Sequence, residues 1–128
     1  MVLLDTCALL WWTNAPDQLS AKAERACRSM KEEGGAISSI SLWEIGIKVK
    51  RKKLELGLSI EDYADRIRRL GFLLLIPVDE RIWIENVNLD WDHRDPVDRT
   101  IVATARLRNL SIVTKDEILR KFYARTIW

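Results

Sequence analysis

Histidine occurs once in the 128 residues, as His93. A zinc site built from several histidines is therefore excluded. Cysteine occurs only as Cys7 and Cys27, too few for a disulfide framework or a four-cysteine metal cage. That usage fits a reducing compartment, and the cytoplasm is the expected location. Three prolines and five glycines make no Pro/Gly-rich linker, so one domain spanning residues 1–128 is expected. Neither sign of charge dominates, with 21 Lys and Arg against 19 Asp and Glu. This excludes a highly charged nucleic-acid sleeve and an acidic solvating tail. Long apolar runs are missing too. The longest, Phe72–Pro77, is far short of the roughly 20 residues that cross a bilayer as a helix, and no membrane association is expected. The opening Met-Val-Leu-Leu-Asp lacks a basic stretch, so no secretion signal is expected.

What is present is a core-forming composition: 48% apolar residues, six of them tryptophan, which excludes a disordered chain. Met1–Leu4 reads as a buried strand ending at Asp5. Thr6–Thr13 reads as a helix closed by Asn14-Ala15-Pro16. Ser20 caps a second helix whose Ala23, Ala26, Cys27 and Met30 share a face, ended by Gly34-Gly35. Ala36–Ile40 is a strand, and Ser41 opens a helix carrying Leu42, Ile45 and Val49. Ser59 and Asp62 form a capping box for a helix with Ile60, Tyr63, Ala64, Ile67 and Leu70 in register. Phe72–Val78 is a strand and Asp79–Val87 a helix. Asp95-Pro96 starts a helix with Val97, Ile101, Val102 and Ala105 along one side. Leu110–Val113 is a strand, Thr114 opens a short helix near Asp116–Phe122, and Arg125–Trp128 is an edge strand. Strand and helix alternate, and the strands are continuously apolar. The expected fold is α/β: a three-layer α/β/α sandwich around a mostly parallel sheet.

Four acids fall at matching places, and three of them, Asp5, Glu44 and Asp116, are expected at the edge where a ligand of such a sheet would bind, beyond the carboxyl ends of the strands. Asp5 ends the first strand. Glu44 is placed in the first turn of the helix after Ala36–Ile40, and Asp98 in the first turn after Asp95-Pro96. Asp116 follows Leu110–Val113. Each has a plainer reading. Ser41-Leu42-Trp43-Glu44 and Thr114-Lys115-Asp116-Glu117 read as capping boxes, and Asp95 reads as a cap followed by a first-turn proline. Asp5 meets no propensity need, though it too could cap a helix. If the four converge, their mutual repulsion raises their pKa values unless a divalent cation is bound. An all-oxygen set suits Mg²⁺ or Mn²⁺. Such a site activates water for attack at phosphorus.

The same residues carry a resemblance. Val2–Thr6 with Ala8–Trp12, Ser38–Ile45, His93–Arg99 and Ile112–Asp116 resemble, in order, the four motifs of PIN-domain ribonucleases of the VapC toxin type. Leu-Trp-Glu and His-Arg-Asp-Pro-x-Asp-Arg are the specific segments, and the match runs over nearly the whole chain. The resemblance implies an RNA-cleaving toxin held inactive by a cognate VapB-type antitoxin, a PIN-like fold, a homodimer, and Mg²⁺ or Mn²⁺ at Asp5, Glu44, Asp98 and Asp116. It places the ligand of the third motif at Asp98, leaving Asp95 as cap or supporting group. It departs at Cys7, where such proteins often carry histidine or asparagine.

Other features have two readings each. Lys48, Lys50, Arg51, Lys52 and Lys53 form either an RNA-backbone patch or a solvated helix end. Arg99 could steady a phosphate, but an arginine among acids is expected to pair with one of them. Thr6 and Thr114 could orient water or a carboxylate; for Thr114, capping is expected. His93 is expected to be structural. Trp11 and Trp12 are adjacent on a helix and cannot both face the core, so one is expected on a surface for antitoxin or a second subunit. Trp43 and Trp83 are expected in the core. Two other functions fit parts of the pattern. A haloacid-dehalogenase-type phosphatase also has an aspartate after its first strand, but Asp5 is followed by Thr6-Cys7 rather than by the Asp-x-Asp of that class. A non-catalytic RNA- or protein-binding module would use the acids only as caps.

Overall fold

A computed structural model describes all 128 residues. Five strands form one sheet: β1 (Val2–Leu4), β2 (Gly35–Ser38), β3 (Leu73–Ile76), β4 (Ser111–Val113) and β5 (Thr126–Ile127). Their order is β3-β2-β1-β4-β5, and every neighbouring pair is parallel. Seven helices connect and flank them: α1 (Thr6–Asn14), α2 (Ala21–Glu33), α3 (Ser39–Lys50), α4 (Ile60–Arg69), α5 (Glu80–Asn88), α6 (Pro96–Arg108) and α7 (Glu117–Phe122).

Successive strand residues point to opposite faces, and the core divides accordingly. Leu3, Ala36 and Ile112 pack with Ile82, Ile101 and Leu119 on one face of the sheet. Leu4, Ile37 and Val113 pack with Leu9, Met30 and Tyr63 on the other. The α/β/α layering and the parallel sheet are as the apolar strands foretell, because a strand buried on both faces has no polar alternation.

Two helix starts differ from the sequence reading. The strand at Ala36 stops at Ser38, whose Oγ accepts from Ile40 N at 3.2 Å and caps α3. Ser41 therefore lies inside the helix and is fully buried, and Glu44 sits in the second turn rather than the first. The last helix is capped by Asp116, whose Oδ1 accepts from Leu119 N at 3.0 Å, not by Thr114. In both places the sequence offers two capping side chains a few residues apart. The end of strand pairing selects between them. Elsewhere the expected caps stand: Ser20, Ser59 and Asp95 each accept from their helix, and Asp79, expected as the first residue of its helix, caps it instead. Gly34 closes α2 at φ +81°, a conformation glycine takes without steric cost.

Candidate active site

The sheet grows from β1 outward through β2 and β3 on one side, and through β4 and β5 on the other. The crevice at such a reversal, off the carboxyl ends of the strands, is where ligands of open α/β sheets bind. Asp5 directly follows β1, and its N–H still donates to Val113 O of β4 at 3.2 Å. Thr114 to Asp116 follow β4. Glu44 arrives on α3 and Asp98 on the first turn of α6. All four carboxylates line one open pocket of about 400 Å³, together with Thr6, Cys7, Trp11, Lys115 and Glu117.

Capping and pocket-lining are not exclusive here. Asp5 Oδ1 accepts from Ala8 N at 2.8 Å and so caps α1. Asp116 uses Oδ1 on α7 in the same way. A capping carboxylate spends one oxygen and is held in orientation by it; its second oxygen is free of that bond. At α6, Asp95 Oδ1 takes the N–H groups of Val97 and Asp98 at 2.8 and 3.1 Å, which leaves Asp98 without a capping task. Glu44 caps nothing.

Charge accumulates in this pocket. Asp5 is 6% exposed, and burial, with smaller contributions from Asp98 and Asp116, pushes its carboxyl up to about 6 against the Thr114 hydroxyl and the Ala8 N–H. Asp98 is also raised, by burial first, while its bond to His93 opposes the shift. The Cys7 thiol is raised by burial and then by Asp5, with Lys48 opposing, so it stays protonated at neutral pH.

His93 is the residue that sequence reasoning left out. Its Nε2 lies 2.8 Å from Asp98 Oδ2, and its ring packs against Trp91 with centroids 4.7 Å apart. His93, Asp95 and Asp98 each bring one potential ligand atom within 4.8 Å of the other two. The available signal was a lone histidine five residues before an acid, across a helix start. Lys115 and Glu117 were likewise read only as parts of a cap.

Several supporting residues do something other than expected. Arg99 pairs with no carboxylate. Its three nitrogens donate to the carbonyls of Asn86, Leu89, Trp91 and His93 and to Asn86 Oδ1, at 2.6 to 3.3 Å. A guanidinium has five N–H groups; all five are spent, and none is left for a phosphate. Thr6 neither caps nor reaches an acid; its hydroxyl bonds Ser41 Oγ at 2.9 Å in a buried contact that ties α1 to α3. Thr114 Oγ1 accepts from Asp116 N at 3.0 Å and so sets the backbone of the fourth acid.

The basic run divides. Lys48, Arg51 and Lys53 line a groove with Glu44 and Asp95, and this groove shares Glu44 with the acidic pocket. Lys50 and Lys52 are exposed outside it. Trp11 and Trp12 are both half-buried. Trp11 lies at the acidic pocket, 5.6 Å from Trp128 and with Lys115 Nζ 5.8 Å above its ring. Trp12 meets Phe72 edge-on at 6.3 Å. Trp43 and Trp83 are not core residues: they are 58% and 47% exposed. The inward positions of α3 and α5 are taken by Ile40, Ile45, Ile82 and Asn86, so these tryptophans point away.

The PIN domain family model matches residues 2–124. The chain belongs to the PIN-domain family. A relative is Ribonuclease VapC22 of Mycobacterium tuberculosis, 29% identical over 124 residues, covering 93% of this chain and 89% of that protein. Among solved structures, M. tuberculosis VapC20, described as a Sarcin-Ricin loop cleaving toxin, superimposes with TM-score 0.67 at 22% identity, over 94% of each chain. A toxin–antitoxin complex from Klebsiella pneumoniae superimposes with TM-score 0.66 at 20% identity, over 100% of this chain and 97% of that one. These likenesses establish the α/β fold with an all-parallel sheet as that of a PIN domain. No helix of this PIN domain is long and apolar enough to cross a membrane.

Proposed function

We propose that this PIN domain is a Mg²⁺- or Mn²⁺-dependent endoribonuclease acting as the toxin of a toxin–antitoxin pair. The observation that carries the reading is the convergence of Asp5, Glu44, Asp98 and Asp116 on one open pocket at the sheet's switch point. The names of its relative and structural neighbours, a ribonuclease and toxins, give the substrate class and the setting.

The donor set fits a hard cation. All four groups are carboxylates, the one lining thiol stays protonated, and Asp98 and Asp116 raise Asp5. A divalent ion relieves that repulsion. When bound, it supplies activation of water and neutralisation of the charge that develops on the phosphate. The chain's own residues do the rest. The caps on α1 and α7 hold Asp5 and Asp116 in orientation. His93 holds Asp98, and the peptide carbonyls of its loop are tied by Arg99. Lys48, Arg51 and Lys53 take the RNA backbone beside Glu44. A cognate VapB-type antitoxin and a second copy of the chain are the expected protein partners.

The purified chain, free of antitoxin, should cut single-stranded RNA in Mg²⁺ or Mn²⁺, stop on chelation, and leave 5′-phosphate and 3′-hydroxyl ends. RNA left intact in either metal, or cleavage that survives chelation, would reject the proposal. The binding-module alternative draws support from Asp5, Asp95 and Asp116, which do cap helices. It leaves Glu44 in the pocket without a task, and Asp98 there with His93 as its one side-chain partner.

The groove has its own test. The triple variant Lys48→Gln, Arg51→Gln and Lys53→Gln, made in an inactive background, should weaken RNA binding about tenfold near physiological salt. It should also flatten the log–log salt slope by about 2, since each lost phosphate contact on a single strand removes roughly 0.7. Lys50→Gln with Lys52→Gln should move neither by much. Anisotropy titrations at several salt concentrations separate the two sets, and equal effects would disprove the assignment.

A further inference from the structure

The residues that line the acidic pocket include one cation, Lys115. Its backbone is fixed on both sides. Thr114 before it is fully buried and accepts from Asp116 N, and Asp116 after it caps α7. The side chain itself is exposed. It stands among the five acids of the pocket, yet its ammonium is in no ion pair. It lies instead 5.8 Å from the centre of the Trp11 ring, a contact that is weak at exposed positions. Trp11 is one turn beyond Cys7 on α1, so the two share the helix face that borders the pocket. Trp128 braces its ring at 5.6 Å, tilted by 51°. A free cation and a braced indole are the two groups that a nucleotide needs, one for its phosphate and one for its base.

We propose that Lys115 and Trp11 form the subsite for the nucleotide next to the cleaved bond. The inference rests on the chain being a ribonuclease, whose scissile phosphate lies against the four acids. The neighbouring nucleotides then lie along the pocket walls, and sheet order sets which walls. Helix α3, with Lys48, Arg51 and Lys53, follows β2 on one side of β1. Lys115 follows β4 and Trp128 follows β5, on the other side. An RNA strand whose backbone enters along the groove crosses the acids and leaves over Trp11. There the lysine, a point charge on a flexible stem, exchanges the indole for a phosphate oxygen. The ring face it uncovers stacks the base. Every base has such a face, so this subsite takes single-stranded RNA without a strict sequence. A protein partner is disfavoured here, because ring and ammonium open onto the carboxylates that the scissile phosphate must reach.

Anisotropy titrations with a short single-stranded oligoribonucleotide test this. They are made in Mg²⁺ and in an Asp5→Asn background, expected to bind without cutting. Lys115→Gln should weaken binding about fourfold near physiological salt and flatten the log–log salt slope by about 0.7, one phosphate contact on a single strand. Lys115→Arg should restore both. Trp11→Leu should weaken binding about tenfold and leave the slope alone, and Trp11→Phe, which keeps a ring, should recover most of the loss. One abasic residue moved along the oligonucleotide should find a position where the background chain loses about tenfold and Trp11→Leu loses nothing more. A lysine that only covers the tryptophan would move neither the slope nor the abasic profile. Circular dichroism should be unchanged throughout. An unchanged slope in Lys115→Gln, or equal abasic losses with and without Trp11, overturns the subsite even while the unmodified chain cuts RNA. A chain that neither binds nor cuts RNA in Mg²⁺ removes the ribonuclease and this subsite with it.

Discussion

Asp5→Asn should abolish cleavage and at the same time make the protein more stable. Asn caps a helix as well as Asp does, so the bond to Ala8 N survives and α1 starts where it did. What disappears is a carboxylate buried beside Asp98 and Asp116 and held up at about 6. That value lies above the ordinary 3.8 of the unfolded chain. Between the two, the folded protein keeps a proton that the unfolded chain has lost. Stability therefore falls as pH rises through that window. Above it the full cost stands, about 3 kcal/mol at ~1.4 kcal/mol per pH unit. Asp5→Asn should recover a good part of this at pH 8 and almost none at pH 4. Urea denaturation at the two pH values measures it. Mg²⁺ should likewise stabilise the wild type at pH 8 and do so weakly at pH 5, and should not stabilise the variant to the same degree. Cleavage should fall at least about a thousandfold, the loss of roughly 4 kcal/mol of transition-state stabilisation. A variant that cuts RNA at the wild-type rate removes Asp5 from the site. A variant less stable than wild type at pH 8 removes the electrostatic account.

Arg99→Ala should have the largest effect on stability. The side chain satisfies four carbonyls in the segment from Asn86 to His93. That segment has no strand or helix of its own between Asn88 and Pro96. Truncation leaves those carbonyls to water or to nothing, and hydrogen bonds to a charged donor carry about 1.5–3 kcal/mol each. A net loss of about 3 kcal/mol is expected, because the half-buried loop recovers some solvation. Lysine, with three donors on a point charge, should rescue only a minor part. The same loop carries His93 to Asp98, so cleavage should drop as well, with a weaker apparent affinity for the metal. Urea denaturation of Arg99→Ala within about 0.5 kcal/mol of wild type, the range of an ordinary surface change, would refute this role.

The layered α/β fold was legible because β1, β2 and β4 are apolar without alternation, and because Ser20, Ser59 and Asp95 cap true helix starts. Asp95-Pro96 shows how local such signals are: its capping oxygen, its proline and its first turn all lie within four residues. Ser41 and Thr114 show where local signals fail. Each looks like a cap, yet the nearby Ser38 and Asp116 hold that role, because strand pairing ends at Ser38 and Val113. The four acids were legible as candidates for a similar reason, since each follows a strand or starts near a helix. Arg99 was misjudged because its partners are peptide carbonyls, which carry no sequence signature. Trp43 and Trp83 were misjudged because hydrophobicity states that a side chain will be covered, not by what.

Local chemistry along the chain thus determined the element order, several of the caps and the four acids as candidates for a shared site. The fold alone decided which acids share a pocket, since Asp5, Glu44, Asp98 and Asp116 lie up to 111 positions apart and meet only at the switch between β1 and β4. It also decided that His93 holds Asp98, that Lys48, Arg51 and Lys53 rather than the whole basic run border the site, and that two tryptophans face outward. Capping and strand propensity act over three or four residues, which a sequence displays. Convergence, burial and the raised carboxyl of Asp5 arise from groups distant in the chain, and only packing sets their distance.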